Sequence, residues 1–183
     1  RLDRLGRDER ATVEPAAVAG VRFPRAAVES LVPQALREAV PRHLAALYDR
    51  QFLDPVASRG TADHGAAFRF HHHLIRDTVY GGLLKRTRAS LHVAFVRWAD
   101  QLKTERERGL DFEVILGYHL EQAHRYLSEL GPLDAEGIEI GIDAAQRLSV
   151  AGRRAFSRGD MRAAANLYRR AVALRDEHDP QRL

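Results

Sequence analysis

Three consecutive histidines, His71-His72-His73, are the residues of this chain best suited to chemistry. Imidazole titrates near neutral pH, ligates metals through either ring nitrogen and donates hydrogen bonds to phosphate oxygens. On an extended strand His71 and His73 would share one face, which invites a metal reading. The only further donor at ligand spacing is Asp77, and a zinc or copper site needs more converging donors than that. His119 and His124, five apart, fall on different faces of a helix. No Gly-x-x-x-x-Gly-Lys-Ser/Thr loop, Gly-x-Ser-x-Gly elbow or His-Glu-x-x-His pair occurs. Gly81-Gly82-Leu83-Leu84-Lys85-Arg86-Thr87 lacks the glycine spacing that lets backbone amides surround a phosphate. The chain is therefore expected to be no enzyme on its own, with no catalytic residue and no metal.

Composition narrows the classes further. The 183 residues carry 29 Lys and Arg against 25 Asp and Glu, a net charge of +4, and no cysteine. Disulfide scaffolds, thiolate zinc sites, iron–sulfur clusters and cysteine nucleophiles are excluded. No apolar run approaches the roughly 20 residues that cross a bilayer, so no membrane partner and a cytoplasmic location are expected. The chain opens at Arg1 without a signal segment and reads as an internal piece of a longer protein. Residues 1–110 hold 19 basic and 13 acidic side chains, 19 − 13 = +6, and residues 111–183 hold 10 and 12, 10 − 12 = −2. That shift suggests two parts.

The elements that must position the histidines follow from periodicity and breakers. Asp8 to Ala19 is helical by composition, interrupted or bent at Pro15 and stopped at Gly20. Val21-Arg22-Phe23 is extended. Pro24 opens a short helix that runs to Pro33, and a third helix starts near Pro41, with Leu44, Leu47 and Tyr48 on one face, and ends near Gln51. Phe52 to Val56 and Ala67 to His71 then alternate apolar and polar around a run of turn formers, Ala57 to Gly65, which makes a β-hairpin. Three helices followed by such a hairpin give the order of a winged helix, over residues 1–84.

Beyond Leu74 every element reads as helix. Ile75, Val79 and Leu83 step by four toward Gly81-Gly82. Thr87 or Ser90 caps a helix bearing Leu91, Phe95, Trp98 and Leu102, whose polar end, Lys103 to Arg108, closes at Gly109. Asp111 caps the next, with Phe112, Ile115, Leu116, His119, Ala123 and Leu127 inward, and Gly131-Pro132 ends it. Asp134 to Phe156 and Asp160 to Arg175 complete the bundle, residues 85–183, with a polar tail from Glu177. In the last two helices Gly152, Ala164 and Ala171 allow close antiparallel approach, Tyr168 fills the gap beyond them, and Gly159 and Asp160 form the turn. This pattern resembles a tetratricopeptide repeat, and such repeats stack in arrays.

Phe70-x-His72-x-Leu74-Ile75-Arg76-Asp77-x-x-Tyr80 resembles the winged-helix segment of the STAND signalling ATPases, the group that includes NB-ARC proteins. Gly117-Tyr118-His119-Leu120-Glu121-Gln122-Ala123-His124-Arg125-Tyr126 and Ala151-Gly152-Arg153-Arg154-Ala155-Phe156 are similar to bacterial members joined to nucleotide-cyclase or transcriptional-regulator output domains and to tetratricopeptide repeats. The resemblance implies a regulatory fragment, with an ATPase domain upstream in the same protein, ATP or ADP as the whole protein's nucleotide, and a protein or ligand received at the repeats. It also implies that His72 reaches the phosphates of bound ADP; plant members show Met-His-Asp where this chain has His71-His72-His73.

The alternative is a DNA-binding module of a transcriptional regulator. A winged helix often sets its third helix in the major groove, and that helix here carries Arg42, His43 and Arg50, with Arg59 on the wing. Asp49 and Asp54 nearby weigh against nucleic acid.

Overall fold

The computed structural model describes residues 5–56, 66–102 and 110–175, with side chains described from 112 in the last stretch. Among these residues the fold is mainly helical, with a small three-stranded antiparallel sheet. The chain divides into two compact units, Arg1–Trp98 and Ala99–Leu183. The sequence reading divides it at 84/85 instead.

In the first unit, α1 (Arg7–Ala19) is opened by Glu9, whose carboxylate accepts from the Gly6 N–H at 2.8 Å. It continues through Pro15, so of the expected bend or interruption the interruption does not occur. Pro15 lies in a buried run with Val13, Ala16, Ala17 and Val18, and burial of that face outweighs the one lost backbone bond. Gly20, at φ 138°, ends the helix where expected.

The extended segment that follows is more than a linker. Arg22–Pro24 forms β1 and pairs antiparallel with β3 (Ala67–Phe70), which pairs on its other side with β2 (Leu53–Val56). The expected hairpin is present and gains a third strand, in the order β1-β3-β2. Aromatic packing explains the addition. The Phe23 ring lies 6.2 Å from Phe68 and 5.6 Å from Phe70, contacts available only if β1 joins the sheet.

Between them run α2 (Arg25–Leu31), a 3-10 turn at Gln34–Ala39 absent from the sequence reading, and α3 (Val40–Asp49) with a proline in its first turn. Gln51 takes a left-handed φ of 60° so that the Phe52 N–H can bond Leu47 O at 2.9 Å, which turns the chain into β2. Leu44, Leu47, Val28, Val40, Phe23 and Leu53 fill the core, each contributing about 2 kcal/mol by burial.

After the sheet come α4 (His73–Gly82) and α5 (Lys85–Gln101). Since α5 begins at Lys85, Thr87 and Ser90 lie inside it and cap nothing. The turn at Leu83-Leu84 lets helix form directly from Lys85.

The second unit contains α6 (Leu110–Ser128), α7 (Ala135–Ser157) and α8 (Met161–Ala173). Asp111 falls within α6 and not before it, because helix begins at Leu110. The expected inner face is corrected at Ile115, which is exposed, while Leu116, His119, Leu120, Ala123 and Tyr126 are buried. A 100° step per residue leaves Ile115 on the flank of that stripe.

Close-approach positions fix the pairing. A Cβ on Gly117 would stand 2.9 Å from Leu148, and one on Gly141 would stand 2.7 Å from His124, so α6 and α7 run antiparallel. Gly152 faces Tyr168 at 3.2 Å and Gly141 faces Leu174 O at 3.3 Å, so α7 and α8 do too. Gly159 adopts φ 81° and Asp160 accepts from the Ala163 N–H at 2.9 Å, as their types dictate. The expectations for Arg59, the 57–65 turn, Lys103–Gly109 and the tail from Glu177 lie outside the described residues. No described helix is long and apolar enough to cross a membrane.

Candidate functional site

The three histidines leave β3 at the start of α4, and each meets different surroundings. His71 places Nδ1 3.1 Å from Asp54 Oδ1. Asp54 stands opposite Arg69 in the β2–β3 register and also receives its guanidinium at 3.3 Å, so one carboxylate serves both side chains. His72 is the N-cap of α4, and its Nδ1 accepts the Leu74 N–H at 3.2 Å. An acceptor at Nδ1 puts the ring proton on Nε2, on an exposed ring, where it can be donated. His73 stacks on His72 with ring centroids 4.4 Å apart.

These orientations do not converge on one point. Among the described residues no group of three or more His, Asp or Glu stands where it could hold a metal ion.

What fixes His72 is the seating of α4. Arg76 Nε donates to Ala17 O at 2.9 Å, which gives the C-terminal end of α1 a cation where its carbonyls lack partners. The same guanidinium contacts Asp77 at 3.1 Å and lies 4.6 Å over the Tyr80 ring. Tyr80 in turn bonds His92 Nε2 of α5 at 2.8 Å, and His92 is fully buried. Arg76, Asp77 and Tyr80 are the residues that carried the resemblance, and here they anchor the helix that His72 caps.

The DNA-reading set is dispersed. His43 is buried, not outward. Thr12 donates its hydroxyl to Asp8 O at 2.9 Å, so its oxygen accepts from His43 Nδ1–H, also at 2.9 Å. Arg50 pairs with Glu9 at 2.9 Å. Arg42 of α3 is exposed.

In the second unit the sequence reading missed the principal charge cluster. Arg147 Nη2 meets Asp100 Oδ2 at 2.8 Å, its Nε meets Asp143 at 2.9 Å, and its Nη1 lies 3.5 Å from Glu113. Burial alone would lower the Arg147 pKa, but the hydrogen bonds and charges of Asp100 and Asp143 outweigh it and raise the value. Arg170 forms a two-toothed pair with Glu121 at 2.6 and 3.0 Å, which raises its pKa against burial. The one sequence signal was the four-residue spacing of Asp143 and Arg147.

His124 also lies here. Burial holds its pKa below 6.5, so the ring stays neutral against the Gly141 backbone. No family model, curated protein or solved structure matches the chain.

Proposed function

We propose that the chain is a non-catalytic regulatory and protein-interaction fragment of a STAND-type signalling ATPase of the cytoplasm. In this reading the first unit is a winged helix that packs on the ATPase domain of the same protein. The second unit opens a tetratricopeptide array that receives a protein or ligand. Supporting the reading most directly is His72, an exposed donor held by a helix cap and by the Arg76 anchor, at the point where the resemblance puts a contact to ADP phosphate.

The chemistry suits that role. A neutral imidazole with its proton on Nε2 donates one directed hydrogen bond to a phosphate oxygen without adding fixed charge. Coupling then arises from preference. ADP stabilises the closed arrangement that His72 completes, and a ligand at the repeats shifts it only by binding the open arrangement better.

Titrating this chain against the ATPase domain of the same protein tests the reading. Binding at least about tenfold tighter to the ADP-loaded than to the ATP-loaded domain is expected, a difference of about 1.4 kcal/mol. Equal affinity for both forms would remove it. Salt-dependent binding of duplex DNA by the chain would favour the transcriptional-regulator alternative, which the burial of His43 and the Arg50–Glu9 pair leave with little basic surface on α3.

A further inference from the structure

The two sides of α4 differ. Ile75, Arg76, Val79 and Tyr80 are buried or half-buried against the first unit, while Leu74, Asp77, Thr78, Gly81 and Gly82 are exposed. A 100° step per residue sets Leu74, Thr78 and Gly81 along one outward ridge, with Asp77 and Gly82 on its flanks. The ridge itself carries no charge. Asp77, on the flank, is paired with Arg76 at 3.1 Å, and the Thr78 hydroxyl donates to Leu74 O at 2.7 Å, so its one donor is already used.

Nothing within the first unit accounts for the two glycines. Glycine weakens a helix relative to alanine, and it is needed where φ is positive or where a neighbour stands too close for a Cβ. Neither holds here. Positive φ among the described glycines occurs at Gly20, Gly131 and Gly159, and nothing described stands within 4 Å of a Cβ on Gly81 or Gly82. Arg88 Nη2 bonds the Gly81 carbonyl at 2.7 Å, which any residue type would allow. The missing side chains leave a hollow that opens outward, and Leu74, 60% exposed, is a knob on the same face.

Knob and hollow lie two turns apart, about 10 Å along the helix, with Thr78 near the midpoint. A two-fold axis through Thr78 reverses a second α4 so that each Leu74 enters the other copy's Gly81–Gly82 hollow. The face is therefore complementary to itself. On such an axis a residue meets its own copy, where a charge would repel itself, and Thr78 carries none.

We infer that the chain forms an isologous dimer through α4, with Leu74 of each copy seated on Gly81 and Gly82 of the other and Thr78 on the axis. The glycines let the two backbones approach closely enough for dispersion to hold them. A face this small falls short of the roughly 800 Å² that each partner of a standard complex buries, so the dimer is weak and forms as concentration rises. The inference does not rest on the nucleotide reading, and its test contains no nucleotide.

Sedimentation of the whole chain tests it, with circular dichroism to check that each variant keeps its helix content. The parent should pass from monomer to dimer with a Kd under about 1 mM. Gly81→Gln fills the hollow, in space that the fold leaves open, and Thr78→Arg sets two cations on the axis. Each should weaken dimerisation about tenfold or more. Position has its own readout, because the chain has no cysteine and Thr78→Cys places one thiol per copy at the axis. With oxidised glutathione accepting the two electrons and two protons that a pair of thiols gives up, Thr78→Cys should cross-link about tenfold faster than Arg42→Cys, an exposed site on α3. A parent that stays monomeric at about 1 mM would overturn the inference and leave this face to another partner. Dimers that neither substitution weakens, or equal cross-linking at the two positions, would overturn it as well.

Discussion

In the first unit the buried polar groups meet as hydroxyl–imidazole pairs, Thr12 with His43 and Tyr80 with His92. In the second they meet as charges, one guanidinium among Asp100, Asp143 and Glu113, and another clasped by Glu121. Each of these pairs is a single hydrogen bond that offsets the cost of burying its two polar groups. The charged clusters cost more to desolvate and hold only while every partner is present. So the unit that carries the exposed histidine cap rests on apolar packing with hydroxyl–imidazole bonds, and the helical unit rests on small-residue contacts reinforced by ion pairs.

The comparison breaks most readily at Arg147. Arg147→Met should destabilise the second unit by about 3 kcal/mol, because it leaves Glu113 and Asp100 without their cation. Denaturant unfolding reads the loss, and Arg147→Lys should restore little of it, since one ammonium cannot reproduce the fork on Asp100. Thr12→Val should cost the first unit about 1.5 kcal/mol, the price of leaving His43 Nδ1 unsatisfied. If the two losses are equal, the contrast between single hydrogen bonds and charged clusters is wrong.

Glycines sharpen it at smaller scale. Gly117→Ala sets a methyl 2.9 Å from buried Leu148 and should cost about 1 kcal/mol net of its helix-propensity gain. Gly81→Ala in α4, with nothing within 4 Å, should instead raise the melting temperature through a gain of about 0.5–1 kcal/mol. The smallest expected effect is a pH dependence at His124. Its folded pKa lies below the unfolded value of 6.5, so the unfolded chain binds more protons. Its contribution to stability is complete above 6.5 and falls as pH drops from there through the folded pKa. Melting temperature against pH checks this, and His124→Gln should flatten the slope below 6.5.

Much of the helical hairpin was legible, because its determinants are local. Gly159, Asp160, Gly152 and Tyr168 act within one turn and its two helices, and each stands where its type required. The β2–β3 hairpin was legible for the same reason. What the sequence hid was long-range. The Val21–Phe23 stretch is too short to announce a strand, and its place beside β3 depends on Phe68 and Phe70, more than forty residues on. His43 looked like an outward base on a helix until Thr12 claimed it. Ile115 matched the apolar period and still faces out, since the neighbouring helix meets α6 one residue on, at Leu116 and Gly117. The Arg147 cluster joins three elements, and of its contacts the i,i+4 pair with Asp143 alone could be seen in advance. His72 was singled out by type and context, but its cap bond to Leu74, which sets the proton on Nε2, needed coordinates.

The role of that proton is tested most directly by the rate at which the intact protein releases bound ADP, with His72 and with His72→Ala. Loss of one phosphate hydrogen bond should speed release about tenfold, whereas His72→Gln, which keeps a donor, should recover part of the retention. Identical release from all three proteins would contradict nucleotide sensing by this unit.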